Sequence, residues 1–166
     1  MRGGGRGVLI AAVAGWLLIF AVHGISPVVQ TAHLRVARAT DDLAALMRFY
    51  RDGLGFELLG SFEGHGDFDG VMLGHPGSGY HLEFTRRRGE EAGRAPTREN
   101  LLVFYLPEWG EWQTAVDRLK ASAHTPVPSA NPYWDVNGLT FEDPDGYRVV
   151  LQRAAWPSHR NEERTT

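Results

Sequence analysis

Three side chains at alternate positions, His81, Glu83 and Thr85, lie in the run YHLEFT. If that run is a strand, its two-residue period puts all three on one face and sets an imidazole beside a carboxylate. A histidine oriented by a glutamate is a candidate general base, so His81 and Glu83 are the catalytic candidates, with a binding or structural role as the alternative. Buried alone, the Glu83 charge would be costly, and Arg35 or another cation is expected to pair with it. A second run, RVVLQ, places Arg148, Val150 and Gln152 on one face in the same way. In NPYWD, Tyr133 and Trp134 could stack on a planar ligand or its cation, or could tuck the loop into the core. The ligand-binding candidates are therefore Arg35, Tyr133, Trp134, Arg148 and Gln152.

Other groups invite simpler readings. The segment EGHGDFDG brings His65, Asp67 and Asp69 close together, but its glycines read first as a hairpin turn. His75 in GHPG is a turn residue, and Trp109 and Trp112 are packing anchors of a helix. The sequence contains no phosphate-cradling GxxxxGK[ST] motif, no GxGxxG after a strand and no GxSxG nucleophile elbow.

The elements that must position these residues follow a repeated plan. A strand is expected at HLRVAR, His33 to Arg38, followed by a helix whose apolar stripe is Leu43, Leu46, Met47 and Tyr50. Thr40 or Asp41 can cap that helix, and Gly53 with Gly55 stops it. Three strands are expected at Phe56 to Phe62, Gly70 to Gly74 and Tyr80 to Thr85, with glycine-rich turns between them. After a polar linker the order returns: a strand at Leu101 to Leu106, a helix carrying Trp112, Ala115, Val116 and Leu119, then strands at Thr125 to Pro128, Gly138 to Glu142 and Tyr147 to Gln152. In the turn FEDPDGY, Asp143 can bond the backbone, Pro144 presets the second position and Gly146 takes the last. Leu34 to Leu101, Phe49 to Val116 and Glu83 to Val150 are each separated by 67 positions, which reads as duplication of a β, α, β, β, β unit.

Composition narrows the function classes. A chain of 166 residues holds one ordinary domain. Its formal net charge of -3 offers no long-range attraction to phosphate backbones, and Arg86, Arg87 and Arg88 are followed at once by Glu90 and Glu91, so nucleic acid is not an expected partner. Without cysteine there is neither a disulfide framework nor a thiol nucleophile.

The run Val8 to Val22 is uncharged and apolar and follows Arg2 and Arg6, the order of a secretory signal or membrane anchor. At 15 residues it falls short of the about 20 that span a bilayer. A miscalled translation start is the other reading. The expected division is a hydrophobic extension over 1–31, a domain over 32–156 with modules 32–86 and 99–156 joined by the linker 87–98, and a polar tail over 157–166. The expected location is the cytoplasm, with membrane anchoring or export through residues 8–22 as the alternative.

The motifs LRV, DDLAALMRFYRDGLGFEL, HLEFT and FEDPDGYRVVLQ, in that order, resemble the vicinal oxygen chelate superfamily of glyoxalases, bleomycin-resistance proteins and extradiol dioxygenases. The resemblance covers almost everything from His33 to Arg153. It implies an α+β fold in which two βαβββ modules form a curved, cup-like mixed sheet with helices outside and a small-molecule pocket inside, and, by analogy, a homodimer. Metal-using members draw a ligand from the first and last strands of each module, and such sites suit a divalent metal with open positions for two substrate oxygens. Here the resemblance puts Glu83 at the first module's carboxylate position and Val150, which cannot coordinate, at the second's. Gln152 is a substitute by register shift, Thr31 or His33 and Asn100 or Leu101 are the first-strand candidates, and His81 could replace a missing ligand. The expectation is thus a small-molecule-binding protein with no metal site and no cofactor. The alternatives are a divalent-metal lyase or dioxygenase acting through Glu83, and a metal-free general-base enzyme using His81 and Glu83.

Overall fold

The computed structural model describes residues 32–156. The hydrophobic run at residues 8–22 and the polar tail at 157–166 lie outside the described residues, and so does Thr31. Among the described residues no helix is long and apolar enough to cross a membrane.

Two βαβββ modules follow one another. The first runs β1 (Leu34–Ala39), α1 (Leu43–Met47) continuing into a π-helical turn (Arg48–Gly53), then β2 (Glu57–His65), β3 (Phe68–Gly74) and β4 (Tyr80–Arg87). The second runs β5 (Leu101–Tyr105), α2 (Trp109–Ala121), β6 (Pro126–Val127), a 3-10 turn (Pro132–Asp135), β7 (Gly138–Glu142) and β8 (Arg148–Gln152). Each module has its own four-stranded mixed sheet, in the orders β1-β4-β3-β2 and β5-β8-β7-β6. In each, the first strand pairs parallel with the last and the other pairings are antiparallel. The sheets are not joined through β1 and β5, each of which is an edge strand of its own sheet.

One face of each sheet meets the helices. Leu82 and Phe84 of β4 are buried with Leu46, Phe49 and Tyr50, and Val149 and Leu151 of β8 with Val116 and Leu119, in one shared apolar core. The Trp112 indole N–H donates to the Leu151 carbonyl at 2.9 Å, which fixes α2 on its sheet. Gly53 lets α2 approach the π turn: a Cβ there would lie 2.8 Å from Leu119 Cδ2. Leu46 and, in the π turn, Phe49, Tyr50 and Gly53 are buried together, at the i, i+3, i+4, i+7 spacing that puts residues on one helical face.

Two sequence expectations about this region change. The cap of α1 is Asp42, whose carboxylate accepts from Ala45 N at 2.9 Å, rather than Thr40 or Asp41. Thr40 Oγ1 instead accepts from Asp42 N, and the Asp41 carboxylate accepts from Ala92 N at 2.8 Å, tying the linker down. Trp109 is 56% exposed with the Arg153 guanidinium 5.0 Å from its ring centre, so of the two tryptophans only Trp112 is a core anchor. The hairpin at Glu63–Gly70 forms as expected, with Asp69 held by Arg88 and by Gly64 N.

The DPDG turn has the anticipated chemistry and adds a second task. Gly146 N donates to Asp143 O at 2.9 Å with Gly146 at φ +88°, and Asp143 Oδ1 accepts from Asp145 N and Tyr147 N. Its other oxygen, Oδ2, accepts from Tyr50 OH at 2.8 Å and pairs with Arg38 Nη2 at 2.7 Å. Asp143 thereby clamps the second module's turn to β1 and the π turn of the first. Burial, and after it the Asp143 charge, pushes the Tyr50 hydroxyl well above its ordinary pKa and keeps it a proton donor. The Arg38 guanidinium also stacks 4.0 Å from the Tyr147 ring centre.

Candidate functional site

The face of each sheet turned away from the helices carries the candidate chemistry. On β4 that face is His81, Glu83 and Thr85, and the parallel ladder sets Arg35, Ala37 and Ala39 of β1 beside them. Gly74, Met72 and Gly70 of β3 stand opposite the same three residues. The glycines beside this strand admit neighbouring side chains: a Cβ on Gly70 would meet the Phe62 ring, and one on Gly74 would meet Leu59 Cδ1 at 3.1 Å and His81 Cβ at 3.2 Å.

At its centre is a chain of four polar groups. Arg35 Nη1 is 2.7 Å from Glu83 Oε2, and Arg35 Nε donates to His81 Nε2 at 3.0 Å. His81 Nδ1 and His33 Nε2 are 2.6 Å apart. Because Nε2 of His81 accepts from arginine, a neutral His81 carries its proton on Nδ1 and donates it to His33. Burial, with His33 and Arg35 acting in the same direction and Glu83 opposing, lowers the His81 pKa below the ordinary histidine value and favours this neutral form. Glu83 Oε2 is close to the guanidinium but off the hydrogen-bond directions, so it is paired by charge without an aligned donor. The expected Arg35–Glu83 pair is therefore present. The His33–His81 contact was not anticipated, though the odd-numbered alternation His33, Arg35, His81, Glu83 was the available signal.

The ladders also correct the equivalence between modules. Val36 pairs with Leu82 and Leu102 with Val149, so with the last strands matched at 67 positions the first strands match at 66. Leu34 and Leu101, matched in the sequence reading, point to opposite faces. Arg35 is the true counterpart of Leu101, and Glu83 that of Val150. Of the first-strand candidates that the structure describes, Leu101 holds the position equivalent to Arg35, while His33 and Asn100 precede these two residues; neither Arg35 nor Leu101 is a metal ligand. Among the described residues no group of three His, Asp or Glu side chains is placed to hold a metal ion.

On the second module's corresponding face the three side chains of β8 are buried. Val150 is fully buried, and Arg148 and Gln152 on either side of it are 4% and 5% exposed. Arg148 Nη1 donates to Pro128 O at 2.8 Å and Nη2 pairs with Glu142 at 2.9 Å, leaving Nε without a partner. Gln152 Oε1 is a buried acceptor without a donor and packs where a Cβ on Gly138 would otherwise sit. Beside them opens a cavity of about 230 Å³ lined by Arg98, Glu99, Leu101, Ser129, Trp134 and Thr140. The hydroxyls of Ser129 and Thr140 share a hydrogen bond at its wall. Asn131 caps the 3-10 turn that presents Trp134, while Tyr133 packs edge-on against Trp134 and is 62% exposed. Of the two loop aromatics, Trp134 lines the cavity and Tyr133 does not.

The chain's relatives agree with this architecture. Residues 34–85 match the YycE-like N-terminal domain and residues 99–153 the YycE-like C-terminal domain. The uncharacterized protein YycE of Bacillus subtilis (strain 168) is 42% identical over 125 residues, covering 75% of this chain and 90% of that protein. A crystal structure of a Bacillus subtilis YycE protein of unknown function superposes with a TM-score of 0.73 at 41% identity, over 79% of this chain and 96% of that one. The trypanothione-dependent glyoxalase I of Leishmania major (TM-score 0.57, 20% identity, 74% of this chain and 86% of that one) shares the fold. So does the fosfomycin resistance protein FosX of Mesorhizobium loti (TM-score 0.56, 11% identity, 73% of this chain and 90% of that one). With its paired βαβββ modules and both domain matches, the chain belongs to the YycE-like family of the vicinal oxygen chelate superfamily.

Proposed function

We propose that this protein binds a small organic molecule at the helix-distal faces of its sheets, without a metal. The observation that carries the proposal is the engagement of the first module's polar donors by Arg35, which holds both Glu83 and His81. In the second module the equivalent positions are Leu101 and Val150, two hydrocarbons with no lone pair to offer. A divalent cation would have to displace a guanidinium already paired with Glu83 and then find its remaining ligands elsewhere. Trp134 supplies a flat apolar wall, and Tyr133, Arg148 and Gln152 complete the set of binding candidates.

The second reading, metal-free proton transfer by His81 and Glu83, draws support from the His33–His81 contact, which gives the imidazole an outlet for its proton. We also extend the proposal to a homodimer. The open edges of β1 and β5 flank an apolar groove lined by Leu34, Val36, Tyr80, Leu82 and Phe104, a surface suited to a second copy.

A thermal-shift and calorimetric screen tests the function, with fosfomycin, bleomycin and the hemithioacetal of methylglyoxal in the panel and each compound run with and without EDTA. Binding that persists in EDTA is expected. Binding or turnover that appears only with added metal would overturn the proposal.

A further inference from the structure

Resting on the small-molecule reading, the ligand's polar end can be assigned a chemistry. We infer that Arg35 is a built-in cation of the site and that it receives a two-oxygen anion, in the simplest case an organic carboxylate.

Arg35 is anchored on one side only. Its Nε bonds His81 and its Nη1 pairs with Glu83, and both partners are 9% exposed. The arginine side chain itself is 57% exposed, and its Nη2 has no partner among the described residues. Two buried groups thus fix the plane of the guanidinium while its outer edge stays open. An arginine on a free surface loses side-chain freedom when it binds, whereas one already fixed loses little. A planar fork of N–H donors matches the two oxygens of a carboxylate better than it matches a single hydroxyl.

His33 adds to this. When its Nε2 accepts from His81, its proton is on Nδ1, so an exposed residue two positions before Arg35 carries a second N–H donor. The residues that would hold a metal do not fit one. Glu83 is charge-paired, the His81 Nε2 lone pair is occupied by Arg35, and Leu101 and Val150 have no donor atom. The positive charge that a bound metal would supply is carried by the chain itself. Glu83 is then a spectator anion: it holds the arginine in place and weakens, by like charge, the binding of the ligand it helps to position.

Calorimetric titration of the full chain with benzoate, and with benzyl alcohol as the neutral counterpart, tests this in buffer containing EDTA. Benzoate is expected to bind at least tenfold more tightly than benzyl alcohol. Arg35→Gln should lose at least tenfold in benzoate affinity at unchanged circular dichroism, Arg35→Lys should recover part of it, and Glu83→Gln should bind benzoate severalfold more tightly. Equal affinity for the two probes, or benzoate binding indifferent to both Arg35 variants, would overturn the assignment while leaving the small-molecule reading in place. If benzoate fails to bind and no compound of the wider screen binds either, both fall together.

Discussion

Arg35 Nη1 lies 2.7 Å from Glu83 Oε2, and through this pair a cation of β1 neutralises the one inward carboxylate of β4. Nothing else near Glu83 offers it an aligned donor. Arg35→Gln should therefore cost about 1–2 kcal/mol, the range for stranding a buried charge that keeps some access to water. In the double variant Arg35→Gln/Glu83→Gln, with no stranded charge, most of that loss should return. Urea denaturation of the two single variants and the double variant measures the coupling, and strictly additive losses would deny that the two residues act as a pair.

Asp143 holds the two modules together by accepting from both Tyr50 and Arg38. Tyr50→Phe keeps the packing and removes one donor, for an expected loss of about 1–2 kcal/mol. Asp143→Asn leaves Arg38 facing a neutral group in a buried setting and should cost more, about 3 kcal/mol. Because the lost contacts cross between modules, hydrogen exchange in β8 and in the π turn should rise together in the second variant. Exchange confined to the 143–146 turn would show that the clamp is local.

Stability should fall on mild acidification. Burial lowers the pKa of both His81 and His124, for His124 with Arg48 adding to the effect. His124 is packed edge-on against Phe49, and its Nε2 is buried without a partner. The unfolded chain takes up protons at about pH 6.5, before the folded one does. The stability these neutral histidines contribute is therefore complete above that pH and is lost as pH falls through the lower folded values. Urea midpoints measured from pH 8 to pH 5 should decline below about 6.5, and the double variant His81→Gln/His124→Gln should flatten that decline. An unchanged pH profile in the variant would assign the acid sensitivity to other groups.

Much of the fold could be read from local chemistry. The DPDG turn and the alternation in YHLEFT and RVVLQ follow from short-range rules, and both strands and their facing residues appear as those rules require. The single 67-residue offset was correct for the last strands but not for the first, where one residue fewer separates the modules. A slip of one position exchanges the two faces of a strand, so the 67-residue offset equates Leu34, on the helix-facing side of β1, with Leu101, on the opposite side of β5. The cap at Asp42 was missed because Thr40, Asp41 and Asp42 are all competent caps. The choice among them depends on where the linker backbone offers Asp41 its own partners. Residues 48 and 93 apart in sequence, His33 with His81 and Tyr50 with Asp143, meet only through the ladder and the core, and no pattern along the chain announces such meetings.

The most direct test of a pocket that works with its own guanidinium is metal analysis. Protein purified without chelator would be equilibrated with manganese, nickel, zinc or iron(II), dialysed, and assayed for bound metal beside the Glu83→Gln variant. The expected result is no stoichiometric metal in either protein. One equivalent of tightly held metal in the wild type, absent from Glu83→Gln, would contradict it and would return Glu83 to the role of a metal ligand.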